Sequence, residues 1–273
     1  MNTEAIKSQL RELRLKTAAT EFEEILAAQK KAVPLDWLSI LLTREIDARK
    51  DRAVQSRIRR AEFPEVTSLE SFDWDFNPDI DREAIEQLAT LQFVENNEIA
   101  LFLGKPGTGK THLALALGIR AVHRGLRVYC SSVKRLAQQI AQARARNSLD
   151  LLFKKILSAR LWVLDDWGVV SMKSEIAEEV FDLLDRRRHS SALILTSNRD
   201  VDEWGTVFPD PVLAGAAIDR LFDRPTTITF LGALPSVHFK TISEASTTFS
   251  ISSLGISKAN SICARTFPLM EIG

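Results

Sequence analysis

The chain has 273 residues, of which 45% are hydrophobic and 26% charged, and its 36 basic residues balance its 36 acidic ones. This is the composition of a globular protein, and the length predicts one domain of ordinary size with an appendage. No run of 18 apolar residues is present and the N-terminus lacks the features of a signal peptide, so a membrane span is excluded and no membrane partner is expected. Only Cys130 and Cys263 occur, which predicts a cytoplasmic protein without a disulfide framework.

Residues 1–65 are predicted to form a small helical domain. Hydrophobic residues recur at spacings of three and four from Leu10 to Leu26, and again from Trp37 to Leu42 after a turn at Pro34. The second segment continues into seven bases and three acids between positions 44 and 60. Such a helix is either a face that contacts phosphates or a solvated face with internal salt bridges, and both interpretations stay open.

Residues 66–82 are predicted to be a linker. Its segment Ser71–Phe76 carries three aromatic residues, which are too apolar to remain in water. We therefore expect the segment to dock on the following domain. Packing is the favoured reason, and the edge of an adenine pocket is the alternative. A short helix, Asp81–Leu91, follows.

The strongest motif is a phosphate-binding loop between an apolar strand, Ile99–Leu103, and a helix that begins near Thr111. It fits the pattern G-x-x-x-x-G-K-[ST], in which glycines let backbone N–H groups face phosphate oxygens. The lysine of the pattern reaches the β and γ phosphates, and the hydroxyl that follows is a natural Mg²⁺ ligand. The residues predicted to contact the nucleotide are Gly104, Lys105, Pro106, Gly107, Thr108, Gly109, Lys110, Thr111 and His112.

Strands and helices alternate through the rest of residues 83–231, which predicts a parallel sheet covered by helices. The further predicted strands are Arg127–Ser131, Leu161–Asp166, Ala192–Asn198 and Thr226–Phe230. The further predicted helices are Val133–Arg146, Glu175–Arg188 and Pro211–Phe222.

Polar side chains follow two of these strands at their carboxyl ends, where ligands collect in open α/β sheets. Asp165 is suited to contact Mg²⁺, because a hard cation prefers oxygen ligands. Asp166, one residue further, is expected to point to the other side of the strand and to orient or deprotonate the attacking water. Asn198 could hold that water or the γ-phosphate.

Hydrolysis of a nucleoside triphosphate also needs a positive charge at the γ-phosphate, which many such enzymes take from a neighbouring molecule. Arg220 is the predicted residue, with Arg224 as a substitute. The alternative for either arginine is a surface salt bridge with Asp219 or Asp223.

Basic residues are concentrated between positions 120 and 160, where ten Lys and Arg residues accompany a single acid, Asp150. This block predicts a polyanionic partner. A surface that binds single strands by stacking would have aromatic residues interleaved with the basic ones. Because they are not interleaved here, duplex DNA is favoured. The residues predicted to contact DNA are Lys134, Arg135, Arg144, Arg146, Lys154 and Lys155.

The combined motifs resemble the IstB family, the ATP-binding helper proteins of insertion-sequence transposition, within the AAA+ ATPases related to the DnaC helicase loader. The resemblance rests on the P-loop, on Leu161–Gly168 and Thr196–Arg199, on Ala217–Leu221 and on the helical N-terminal region with its linker. It implies an α/β AAA+ core with a five-stranded parallel sheet in the order 5-1-4-3-2. It also implies assembly with ATP and Mg²⁺ into a homo-oligomeric ring or spiral on double-stranded DNA, and delivery of that DNA to an IstA-like transposase.

By the same resemblance, Lys110 and Thr111 are the Walker A residues and Asp165 is the Walker B residue. Asn198 and Arg220 take the sensor-1 and trans-acting arginine-finger positions. Asp166 stands where many relatives have the longer glutamate. A helicase loader, a small-molecule P-loop kinase and a DNA-binding protein with negligible hydrolysis are the competing hypotheses. Residues 232–273 depart from the family pattern and are predicted to be a poorly ordered tail.

Overall fold

The computed structural model describes residues 3–29, 34–78, 80–168, 171–188, 190–221 and 225–230, all within one compact unit. The helices are α1 Thr3–Glu12, α2 Lys16–Ala27, α3 Asp36–Ala61, α4 Arg82–Ala89, α5 Gln92–Glu95, α6 Lys110–His123, α7 Val133–Ala145, α8 Leu149–Leu157, α9 Ser174–Arg187 and α10 Pro211–Leu221. The strands are β1 Ile99–Leu103, β2 Val128–Ser132, β3 Leu161–Trp167, β4 Ala192–Ser197 and β5 Pro225–Phe230. The predicted tail, together with Arg224 and Cys263, lies outside the described residues.

The strands form a parallel sheet in the order β2-β3-β4-β1-β5. The predicted parallel α/β class and the order of the first four strands are confirmed, and β5 pairs with β1 on its outer side. Strands β1 and β4 are buried along their whole length, because helices cover both faces of a parallel sheet. Their uninterrupted apolar sequences follow from this burial.

Alternate residues of β1 enter two different hydrophobic clusters, as the twofold period of a strand requires. Leu101 and Leu103 pack with α7, α9 and α10 on one face. Ala100 and Phe102 pack with α4, α6 and the end of α3 on the other. The sheet thus holds the P-loop, which follows β1, between two closely packed layers.

The N-terminal helices differ from the continuous pattern predicted, since α1 and α2 are separate. Arg14 adopts the left-handed conformation with φ 61°, and the Leu15 N–H donates to the Leu10 carbonyl at 2.9 Å. This is the Schellman arrangement, which usually has glycine at the left-handed position. The Arg49 guanidinium donates to the Leu13 carbonyl at 2.9 Å and so satisfies one of the carbonyls at this helix end.

Helix α3 belongs to two hydrophobic clusters. Leu42 and Ile46 pack with α1 and α2, whereas Ile58 and Ala61 pack with the residues under β1 and α6. The second half of α3 therefore lies in the core that the sequence assigns to residues 83–231. In the part of the chain that the structure describes, no helix is long and apolar enough to cross a membrane.

Candidate active site

The P-loop is held in a shape that only glycine adopts easily at two positions. Gly107 has φ 76° and Gly109 has φ 93°, a region in which an L-residue is strained. Gly109 is also the N-cap of α6. The first N–H groups of that helix have no carbonyl partners within it, and its positive dipole end faces the loop. The loop and the helix start together form a site for an anion.

The Lys110 ammonium lies inside this loop. It donates to the Lys105 carbonyl at 2.6 Å and to the Thr108 hydroxyl at 3.3 Å, and the residue is buried. Burial lowers the pKa of Lys110, while the negative charges of Asp165 and Asp166 oppose that shift. A cation is therefore positioned where a bound phosphate would need one, within the electrostatic field of two carboxylates.

Two hydroxyls converge on the same oxygen of Asp165. Thr111 Oγ1 donates to Asp165 Oδ1 at 2.8 Å, and Thr196 Oγ1 donates to it at 2.5 Å. A hydroxyl beside a carboxylate is a donor set that suits Mg²⁺, which in phosphate-handling sites is commonly held by one or two carboxylates together with phosphate oxygens. Thr111 and Asp165, predicted from distant parts of the sequence, are thus brought together.

Asp166 does not follow the simple alternation of a strand. The register between β3 and β4 shifts between Leu164 and Trp167, and Asp166 has φ 61°. Its N–H donates to the Thr196 hydroxyl at 3.0 Å, and Asn198 Nδ2 approaches its carboxylate at 3.4 Å. The bulge interrupts the simple alternation of the strand at this point, and the contact with Asn198 links the polar ends of β3 and β4.

The environment of Asp166 raises the affinity of its carboxylate for a proton. Burial raises the pKa of its carboxyl, the charge of Asp165 raises it further, and Lys110 opposes both effects. A raised pKa gives a carboxylate a stronger affinity for a proton, which is the property required of a general base.

Arg220, the predicted arginine finger, lies away from the side chains around the P-loop. Arg220 donates to Asp185 Oδ1 of α9 at 2.5 Å, so its ion-pair partner is neither of the aspartates named as alternatives. His112 is also predicted to contact the nucleotide, and its ring hydrogen-bonds with the Thr67 hydroxyl at 2.7 Å and lies 3.2 Å from the Ser68 carbonyl. Its side chain therefore faces the linker.

The linker packs directly against the P-loop. A Cβ placed on Gly109 would lie 2.8 Å from the Phe72 ring, and Asn77 Nδ2 donates to the Thr108 carbonyl at 3.2 Å. Phe72 is buried, Trp74 is half-buried and Phe76 is 63% exposed. Docking of the aromatic segment is thus observed for its first ring and not for its last. The sequence does not predict two of the contacts at this site, that of Asn77 with Thr108 and that of Thr196 with Asp165.

The residues predicted to contact DNA fall into two groups. Arg135 and Lys155 both form ion pairs with Glu62, and Arg144 pairs with Glu175 and Glu179. Arg135 also donates to the Cys130 carbonyl at 2.6 Å. Three others are exposed and make no ion pair among the described residues: Lys134, Arg146 and Lys154.

Comparison with known proteins identifies the family. Residues 8–240 match the family model described as IstB-like ATP binding protein. The chain belongs to this family. Its IstB-like relatives include the ATP-binding protein of insertion sequence IS21 from Pseudomonas aeruginosa, which is 41% identical over 76% of this chain and 78% of that protein. A second relative, the ATP-binding protein of IS5376 from Geobacillus stearothermophilus, is 32% identical over 72% of this chain and 78% of that protein.

Solved structures with the same AAA+ fold support the architecture. AMPPCP-bound DnaA from Aquifex aeolicus is 24% identical with a TM-score of 0.52, covering 62% of this chain and 50% of that one. DnaI is 18% identical with a TM-score of 0.51, covering 63% of this chain and 93% of that one. The IstB-like chain therefore has the fold of AAA+ P-loop proteins.

Proposed function

We propose that this chain is the ATP-hydrolysing helper of an insertion-sequence transposition system, which assembles on duplex DNA and delivers it to an IstA-like transposase. The observation that carries the ATPase part is the convergence of the P-loop lysine, the Thr111–Asp165 pair and Asp166 at one end of the sheet. A glycine-rich turn without function would not require these three elements to meet there. The transposition part is supported by family membership.

In this proposal, each residue of the site has a separate task. Backbone N–H groups of the P-loop and Lys110 hold the β and γ phosphates of ATP. Thr111 and Asp165 would hold Mg²⁺, which when bound neutralises charge on the phosphate oxygens. Asp166 accepts the proton of the water that attacks the γ-phosphate, and Asn198 positions that water or the phosphate.

The proposed oligomer explains why Arg220 lies away from the nucleotide of its own chain. In a ring or spiral it would meet the γ-phosphate bound by the neighbouring protomer, once it leaves Asp185. Because that ion pair is partly exposed, exchanging the carboxylate for a phosphate would require little free energy. Lys134, Arg146 and Lys154, which have no ion pair among the described residues, are proposed to face the DNA.

A subunit-mixing experiment tests the ATPase and the oligomer together. Lys110→Ala should abolish nucleotide binding, and Arg220→Ala should abolish hydrolysis while leaving binding intact. Mixtures of the two should regain part of the ATPase rate, because an intact P-loop then meets an intact arginine. No recovery at any ratio would exclude the trans-acting role, and wild-type ATP affinity in Lys110→Ala would exclude the P-loop assignment.

The client protein needs its own measurement. The proposal expects the ATP-bound protein on duplex DNA to capture an IstA-like transposase. Capture of a replicative helicase in its place would favour the helicase-loader hypothesis. Phosphorylation of a metabolite, with no effect of DNA on ATP turnover, would favour the kinase.

A further inference from the structure

A basic groove lies at the opposite end of the sheet from the P-loop. Its volume is about 800 Å³, and it is bordered by the end of α3, the start of β2 and the end of α8. The P-loop follows the carboxyl end of β1, whereas the groove reaches Val128, the first residue of β2. Since the strands are parallel, the P-loop lies at the carboxyl ends of the strands and the groove lies at their amino ends.

Four cations and one carboxylate line this basic groove: Arg57, Arg60, Arg127, Lys155 and Glu62. The Glu62 carboxylate already forms ion pairs with Lys155 and Arg135 and accepts a hydrogen bond from Gln139. Burial alone raises the pKa of Glu62, but the hydrogen bond and charge of Lys155 and the charge of Arg135 outweigh it, so the pKa lies below its ordinary value and the group stays ionised.

The three arginines of the groove do not pair with its carboxylate, whose ion-pair partners are Arg135 and Lys155. None of them makes an ion pair with any residue in the described ranges. Arg57 and Arg60 are three positions apart on α3 and so share a face of that helix. The negative end of the α3 dipole attracts Arg60 and its neighbour Arg59 alike. That attraction does not explain why Arg127, which lies on no helix, joins Arg57 and Arg60 at the same groove.

The groove lacks the features that recognise a nucleotide base. Among the described residues that line it, Tyr129 is the only aromatic one, and it is 3% exposed with its hydroxyl donating to Gln139 Oε1 at 2.7 Å. Base recognition by stacking requires an accessible ring. What the groove offers is several guanidinium groups and the hydroxyl of Ser158, and these are the groups that contact the sugar-phosphate backbone of DNA.

We propose that the basic groove binds the phosphate backbone of duplex DNA through Arg57, Arg60 and Arg127, as a contact separate from the ATP site. It rests on the proposed function, in which this chain binds duplex DNA. Lys154, already proposed to face DNA, precedes the groove residue Lys155 on α8, so a backbone could pass from one to the other. The N-terminal helix α3 would then grip DNA jointly with the ATPase core.

The test compares two double variants of α3 that remove the same charge. Arg57→Ala/Arg60→Ala removes groove residues, and Arg44→Ala/Arg59→Ala removes exposed arginines of the same helix that do not line the groove. Affinity for a random-sequence duplex is measured with ATP at several salt concentrations. Each lost phosphate contact lowers the salt slope by about 0.9.

The groove variant should therefore have a slope smaller than wild type by about 1.8. Between 50 and 200 mM salt, wild type should lose about twelvefold more affinity than the groove variant does. The control variant should keep the wild-type slope, and thermal unfolding verifies that both variants fold. Should the groove variant fail to fold, the single variant Arg127→Ala is measured, with an expected change of about 0.9.

Each other outcome has a definite meaning. Equal slopes for groove and control variants, with wild type binding DNA, would overturn the groove and leave the proposed function intact. No duplex binding by wild type in any nucleotide state would overturn the proposed function together with the groove. A second ATP bound per protomer by equilibrium dialysis, lost in the groove variant while DNA binding is unchanged, would make the groove a nucleotide site and reject the proposal.

Discussion

The contact between Phe72 and Gly109 predicts that two neighbouring glycines of the P-loop differ in their tolerance of alanine. Both have positive φ, so an alanine at either position costs about 1–2 kcal/mol in backbone strain. At Gly107 the added Cβ would meet nothing within 4 Å, whereas at Gly109 it would lie 2.8 Å from two atoms of the Phe72 ring. That ring is buried and cannot move aside freely, and overpacking of this kind costs about 1–3 kcal/mol more.

We therefore expect Gly107→Ala to lower the free energy of unfolding by about 1–2 kcal/mol and Gly109→Ala by about 2–5 kcal/mol. The assay is urea unfolding without nucleotide, so that phosphate binding does not contribute. In a Phe72→Leu background the smaller side chain should relieve the clash, and the effect of Gly109→Ala should fall to that of Gly107→Ala. Equal losses for the two alanine variants in the wild-type background would refute the reasoning.

Three further predictions concern single polar groups. Asp166→Asn should keep ATP binding, lose hydrolysis and raise the unfolding temperature at neutral pH. Because the pKa of Asp166 is raised in the folded state, this gain in stability should fade as the pH falls toward 3.8. A gain in unfolding temperature that does not depend on pH would contradict the raised pKa. Glu62→Gln, which removes partly exposed ion pairs to Lys155 and Arg135, should lower stability by about 1 kcal/mol at pH 7. Since the pKa of Glu62 is lowered in the folded state, the loss of stability should shrink below pH 4.5. Unchanged stability at pH 7 would show that the ion pairs of Glu62 do not stabilise the fold. Asn77→Ala should destabilise by about 1 kcal/mol through the lost bond to the P-loop, and an unchanged urea midpoint would show that the bond contributes nothing.

The sequence predicts the parts of this fold that depend on local pattern. Apolar runs such as Ile99–Leu103 predict buried strands, and the glycines of the P-loop predict its conformation, because both follow from short-range chemistry. The meeting of Thr111 with Asp165 was also predictable, since parallel strands end at the same edge of a sheet. Pattern alone could not give the bulge at Asp166, because a register shift depends on how β3 pairs with β4.

Features that sequence reasoning missed depend on tertiary contacts or on weak local signals. Helix α8 was not predicted, although Asn147, with φ 50°, is a residue type that often ends a helix in the left-handed conformation. The break at Arg14 has no glycine or proline to mark it. The charge of Arg135 alone predicts a contact with DNA, because its ion-pair partner Glu62 lies far away in the sequence.

Helix α3 has a mechanical consequence. Its 26 residues span about 39 Å at 1.5 Å per residue, and one end packs in the core around the sheet while the other packs with α1 and α2. A tilt of about 5° at the core end of a rod this long would displace the far end by about 3 Å. Any small tilt of the core end of α3 would therefore be magnified at α1 and α2.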